Sequence, residues 1–429
     1  MTALSDPAGA DPADAPARPA AAAPGTPDTP ADTPTGADDR HASLDVLRGV
    51  AVLMIFTVNV RAMLQPFFAQ SDPQAWGGPR DLAIDRALQF AVDGKWIAVF
   101  AILFGAGLAL LHDRAVAAGI PPNARIVRRQ LWLLAFGVVH MAFIWLGDVL
   151  VTYAITGLVL TTVLGAQARK IATWAALSLA CGVAVLWGLG QVMALIPPEE
   201  MAGTGFSVPE LIAAEVAAKS GGIGAQLLWR AEAAGLMLPN AITALPFVFS
   251  YMAVGVLAFR SGFLLARWPV GRYLIVAALA LPAAWAIDAW RIRAMGVWDG
   301  EAVAYDIALA RYMWAGLVEG LLGGIGYAAL VMAAVRAGLA PRPLAAAGRM
   351  AFTNYVLCSV VGTTLAAGHG ADLLGDVTLA QAMLVVGAVW LAILTVSPLW
   401  LGAFRYGPLE WAWRSLSYGR TQPMVRHRG

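Results

Sequence analysis

The sequence predicts an all-α fold: a polytopic integral membrane protein with about ten transmembrane helices and both termini cytoplasmic. Of its 429 residues 59% are apolar and 13% charged, where soluble domains carry about a quarter charged. The mean hydropathy is +0.68. Apolar runs near 20 residues, the length that crosses a hydrocarbon layer of about 30 Å, recur from Val46 to Trp400. The net charge of +2 gives no reason to expect nucleic acid, and the composition makes the lipid bilayer the obligatory partner.

Residues 1–42 form the first division. They hold eight prolines among repeated Ala, Asp and Thr, with Leu4 as the one large aliphatic side chain, so they cannot bury a core and read as a disordered cytoplasmic tail. No secretory h-region precedes Val46, and the first apolar run is read as a retained span. Residues 43–403 form the transmembrane helical domain. Its spans are expected near 45–64, 95–113, 126–146, 149–165, 171–196, 236–259, 271–289, 311–335, 348–367 and 379–402. Only Gly147-Asp148 separates the third from the fourth, which makes these two a tight hairpin. An amphipathic segment from Asp81 to Asp93 is expected in the membrane interface. Residues 404–429 read as a cytoplasmic interfacial helix with an i, i+4 pair, Glu410 and Arg414, and a basic tail; Trp411 and Trp413 suit the headgroup level.

The orientation follows from the positive-inside rule. An inside N-terminus places Arg114, Arg125, Arg128 and Arg129, then Arg169 and Lys170, then Arg260, Arg267 and Arg272, then Arg336, Arg342 and Arg349, and finally Arg405, Arg414, Arg420, Arg426 and Arg428 in the cytoplasm. The other side receives Glu199, Glu200, Glu210 and Glu215, and the loop 368–378 with Asp372 and Asp376 but no Lys or Arg.

Polar residues at membrane depth are costly and mark function by default. In the first span Arg48 and Asn59 are 11 residues apart, three helical turns or about 16 Å, and so share a face. In the third span Arg129 and His140 repeat that spacing, with Asp148 following at the turn. His140, expected to be the one histidine within a span, suits proton exchange near neutral pH or a single interhelical hydrogen bond. Asp148 suits orientation of that imidazole or a helix cap; it falls about 80° round the helix from His140, so contact requires the helix to unwind at Gly147. Asp45 and Arg48 form an i, i+3 pair; alternatively Arg48, Arg125 and Arg129 meet the phosphates of a donor. Glu319, with Arg311 eight residues before it, reads as a salt-bridged carboxylate, a proton carrier or a second base. Asn59 and Asn354 suit interhelical hydrogen bonds, and snorkelling accounts for Lys95. Gly316, Gly320 and Gly324 repeat at the spacing of close helix packing. Cys181 and Cys358 sit in apolar runs as small buried hydrophobes. No metal is expected.

Three sets of residues resemble the DUF418, or YeiB-like, family of bacterial membrane proteins: Ser43-Leu44-Asp45-Val46-Leu47-Arg48-Gly49 with Asn59; Gly137-Val138-Val139-His140 followed by Gly147-Asp148-Val149-Leu150 and Tyr153-Ala154; and Gly348-Arg349-Met350-Ala351-Phe352-Thr353-Asn354-Tyr355 with Gly407-Pro408-Leu409-Glu410-Trp411. The resemblance covers about residues 40–420. Its first helices are similar to those of a wider superfamily of transmembrane acyltransferases. That similarity implies a multi-pass protein of the bacterial inner membrane that takes acyl-CoA, such as acetyl-CoA, from the cytosol. The acceptor would be a hydroxyl or amine of an envelope glycan or lipid, reached from the other side. In the heparan-acetylating branch a catalytic histidine follows the asparagine by 11 residues; here that position holds Gln70, so the base role passes to His140. The expected site is then His140, Asp148, Asn59 and Glu319 for catalysis, with Arg48, Arg125 and Arg129 holding the donor. The competing class is a proton-coupled transporter relaying protons through His140, Glu319 and Asp148. A third is a non-catalytic membrane partner.

Overall fold

A computed structural model describes residues 41–67, 78–195, 208–295 and 305–426. The proline-rich tail through Arg40, Gln70, Glu199, Glu200 and Arg428 lie outside them. The described residues are helical apart from connecting turns and one isolated antiparallel bridge, Phe404 to Val425.

The helices, in order, are α1 (Ala42–Leu64), α2 (Pro79–Ala91), α3 (Lys95–Ala117), α4 (Asn123–Phe143), α5 (Leu150–Thr161), α6 (Ala168–Met193), α7 (Val208–Ser220), α8 (Ile223–Arg260), α9 (Val270–Ala294), α10 (Tyr305–Arg336), α11 (Arg342–Arg349), α12 (Ala351–Ala366), α13 (Leu379–Ala403) and α14 (Pro408–Tyr418). Eight helical stretches among the described residues are long and apolar enough to cross a membrane; α11 and α12, bent by 81° at Met350, make a ninth if they count as one span. The expected fourth span, α5, is a helix of only 12 residues. At 1.5 Å per residue that is about 18 Å, short of a bilayer core.

Burial sorts the helices. α1 and α3 form the centre with the second half of α8 and the body of α10, while α4, α6, α9 and α13 stand outside them. The outer four carry exposed large side chains including Trp132, Phe143, Trp174, Leu279, Leu384 and Leu399. Such a belt would be insoluble in water and is what a lipid-facing surface requires.

α1 is central because glycines let backbones touch it. A Cβ on Gly49 would overlap the Leu344 carbonyl of α11, and one on Gly348 would overlap the Asp45 carbonyl of α1. The first and third sequence motifs are thus two sides of one crossing. The glycine repeat in α10 works in the same way: Gly320 and Gly324 allow contact with the Gly94 and Lys95 carbonyls at the start of α3.

On α2, the segment expected in the membrane interface, two acidic side chains turn inward. Asp81 and Asp85 are buried: Asp81 accepts from the Ala380 backbone N–H at the start of α13, 3.1 Å, and Asp85 pairs with Arg61 of α1, 2.7 Å. Its carboxylates point into the protein because each meets a donor there. The described ends of the chain converge, since His41, Arg405 and Tyr418 line one cavity.

Candidate functional site

That cavity encloses about 270 Å³ and is lined from α1, α3, α4, α5, the α11–α12 bend, the segment after α13, and α14. Its two ends differ in chemistry. Arg48, Arg129, Arg349, Arg405 and Arg414 line one end, with Asp45 and Glu410 as acids. Phe100, Leu103, Phe104, Leu133, Leu150 and Tyr153 make the other end apolar.

Local sequence explains how the arginines are held. Arg48 pairs with Asp45 at 3.0 Å, the expected i, i+3 pair. Arg129 lies over the Trp413 ring, 3.4 Å from its centroid, and Trp413 Nε1 donates to the Arg129 carbonyl at 2.9 Å. Arg414 lies over Tyr406 at 4.7 Å and forms no ion pair with Glu410. Arg48 and Arg414 are each near enough to repel Arg129. Guanidinium groups with aromatic rather than carboxylate partners keep their charge for an anion, and phosphate suits their forked donors.

Glu410 is spent elsewhere. Its carboxylate accepts from the backbone N–H groups of Phe352, 2.7 Å, and Thr353, 3.0 Å, and from the Thr353 hydroxyl, 2.5 Å. It therefore caps the N-terminus of α12, where the chain bends and donors lack helical partners. Burial pushes its carboxyl above the ordinary range, against hydrogen bonds that favour the ionised form. α14, which carries it, starts on Pro408 and ends at Gly419 in the left-handed region, φ 67°. This helix docks on α4 and α12 through Trp413.

His140 and Asp148 meet. Nδ1 of the imidazole lies 2.8 Å from the Asp148 carboxylate, and both side chains are buried. The contact forms because α4 ends at Phe143, earlier than expected, so the chain turns back before Gly147. The other Asp148 oxygen accepts from the Val151 N–H at 2.8 Å, so one carboxylate both caps α5 and faces the imidazole. The Tyr355 ring, which lines the cavity, lies 5.2 Å from the His140 ring, centroid to centroid. His140 itself does not line the cavity; Tyr355 stands between them.

The remaining expected site residues separate. Arg125 lies over the Tyr418 ring, 4.9 Å away, outside the cavity lining. Asn59 is half-buried on α1 and also absent from the lining, whereas Asn354 makes the expected interhelical bond, to Ser397 Oγ at 3.2 Å. Glu319 belongs to a different cluster. Its partner is Lys95, which also stands 3.7 Å from Asp288 and donates to the carbonyls of Gln89, 3.1 Å, and Asp93, 3.2 Å. Snorkelling of Lys95 is therefore overturned: its ammonium is fully buried because two carboxylates and two carbonyls replace water. Arg311, expected beside Glu319, lies instead 6.0 Å over Tyr312. Arg291 completes the cluster through Asp288 at 2.6 Å, and Arg61 bridges Asp85 and Asp93 at its edge. His112 is a second histidine within a span, buried at the end of α3 beside Asp113 at 3.0 Å.

The residues that sequence reasoning missed at the cavity are Tyr355, Arg349, Arg405, Trp413 and the capping role of Glu410. All but Arg405 and Trp413 fall inside the third motif set, which was the available signal.

Fold and site together define a polytopic helical membrane protein enclosing an amphiphilic cavity with an arginine-lined end. Residues 258–420 match the DUF418 model, described as a protein of unknown function. Over nearly its whole length the chain is similar to the uncharacterized protein YeiB of Escherichia coli K12, 29% identical over 90% of this chain and 98% of YeiB, and to the uncharacterized protein YxaH of Bacillus subtilis 168, 28% identical over 92% and 98%. An uncharacterized 39.9 kDa protein of Bacillus acidopullulyticus is 26% identical over 91% of this chain and 98% of its own. These similarities support a place among DUF418, YeiB-like membrane proteins. No solved structure matches significantly.

Proposed function

We propose that this protein is a membrane-embedded acyltransferase that receives a cytosolic acyl-CoA, acetyl-CoA in the simplest case, and passes the acyl group to a hydroxyl or amine of an envelope glycan or lipid. The carrying observation is the polarity of this cavity, with Arg48, Arg129 and Arg414 at one end and an apolar wall running to Tyr355, against which His140 packs. Arginines at the cytoplasmic face hold the donor's phosphates and the apolar arm takes its chain. By the positive-inside rule that end is cytoplasmic; with α5 and the bent pair each counted as a crossing, ten crossings return both termini there, in a bacterial inner membrane.

In the transfer the acceptor oxygen or nitrogen attacks the thioester carbonyl. His140 removes the acceptor's proton, Asp148 supports the imidazolium, and the departing thiolate takes up that proton as the carbon–sulfur bond breaks. The acceptor reaches His140 by displacement of the Tyr355 ring. Two measurements test this. Acetyl-CoA should raise the melting temperature of the detergent-purified protein, with the rise lost in Arg129→Ala. Inverted vesicles should transfer radiolabelled acetyl groups to envelope material; transfer by His140→Ala as fast as the parent would remove the base assignment.

The buried Lys95, Glu319, Asp288 and Arg291 cluster favours a second reading, proton-coupled transport, in which these groups relay a proton. Acetyl-CoA without effect at millimolar concentration, with pH-driven flux in proteoliposomes lost in Glu319→Gln, would favour it.

A further inference from the structure

We infer that Gly107 is the passage through which the apolar arm of a phosphorylated amphiphile runs from the arginines to the deep end of the cavity, an inference that rests on the donor-site reading above. Phe100, Phe104, Gly107 and Leu111 all line the cavity. At 100° per residue they fall within an arc of about 60° on α3, so they form one stripe, and from Leu111 to Phe100 it runs about 16 Å. Each of the four is half-buried, whereas Ala106, Leu108 and Ala109 between them are buried. The stripe therefore faces a void along its length. Gly107 sits near its middle, where a bulky side chain would obstruct the void.

No packing need accounts for this glycine. A Cβ on Gly105 would overlap the Met252 carbonyl of α8, so that glycine is required by a helix crossing. A Cβ on Gly107 would meet no atom within 4 Å, and its backbone is ordinary right-handed helix. A helix interior favours alanine over glycine, so glycine at such a place weakens α3 and contributes no contact in return. Its effect is the absence of a side chain, and the space left empty is cavity. The chemistry at the ends then names the ligand class: phosphate at the arginines and an unbranched apolar chain past position 107.

The test compares the parent with Gly107→Ala and Gly107→Phe, purified in detergent. Melting temperatures are measured alone and with 3′,5′-ADP, which carries the phosphates but no arm, with octanoyl-CoA, and with octyl phosphate. Gly107→Ala alone should melt at or above the parent, since its methyl enters open space; a lower melting temperature would show that the space is absent and overturn the inference. 3′,5′-ADP should stabilise all three proteins equally. Octanoyl-CoA should add a further rise in the parent that is lost in Gly107→Phe. The same further rise in Gly107→Phe would overturn the passage and leave the donor site standing. If neither 3′,5′-ADP nor octanoyl-CoA stabilises the parent, the donor reading falls. Octyl phosphate stabilising the parent and not Gly107→Phe would then uphold the passage and identify a lipid phosphate as its occupant.

Discussion

Replacing Lys95 by methionine should be among the most damaging single changes in the protein. The two side chains have similar length, so little volume is lost, and the effect isolates the charge. In the parent the ammonium has no exposed surface and is held by Glu319, by Asp288 at 3.7 Å and by the Gln89 and Asp93 carbonyls. Its removal leaves two buried carboxylates with Arg291 as their remaining cation, paired to Asp288. Removing one partner of a buried ion pair costs about 3–5 kcal/mol, a large share of the stability of most domains. The double variant Lys95→Met with Glu319→Gln removes the orphaned charge as well, and should recover part of the loss, with a coupling of about 0.5–3 kcal/mol. Unfolding in mixed micelles, followed by tryptophan fluorescence against denaturant, measures both. If Lys95→Met unfolds within about 1 kcal/mol of the parent, the cluster is hydrated and its pairing does not hold α3, α9 and α10 together.

Four further outcomes follow from the same contacts. Gly348→Ala should prevent the α1–α11 crossing, because the new methyl would overlap the Asp45 carbonyl, and yield should fall sharply in size-exclusion profiles, while Gly107→Ala gives parent-like yield. Glu410→Ala leaves the Phe352 and Thr353 donors unpaired and should cost about 1–3 kcal/mol for each buried donor not reached by water; hydrogen exchange should rise first at the start of α12. Trp413→Ala removes the ring beneath Arg129, its hydrogen bond to the Arg129 carbonyl and its packing on Phe352, so it should cost more than the about 0.5–2 kcal/mol of the cation–π contact alone, with weaker acetyl-CoA stabilisation, because Arg129 loses its fixed position. Asp148→Asn keeps an oxygen to accept from Val151 but removes the charge facing His140, so the melting temperature should change little while acyl transfer falls at least tenfold.

Some of this was legible in the sequence alone. Long apolar runs can only be helices in lipid, since every backbone group must be satisfied within its own segment. The count was less legible at α5 and at the α11–α12 bend: hydropathy windows register apolar length, but not where backbone hydrogen bonding stops. The pairing of Arg48 with Arg129 was readable because both belong to helices of similar register and spacing. That of His140 with Asp148 was half readable: the residues stood close in sequence, but their contact depended on α4 ending at Phe143.

By itself the sequence determined the membrane, the helices and the arginine-rich end, because composition and period are local properties that the bilayer selects directly. The tertiary structure alone decided which charges face each other. Lys95 meets Glu319 across 224 positions because Gly320 and Gly324 let α10 rest on the start of α3, and Glu410 reaches α12 because Trp413 docks α14 on α4. Nothing in the local pattern around Lys95 or Glu410 encodes its partner. Burial required each of those charges to find polar partners, and the helix crossings fixed which ones they found.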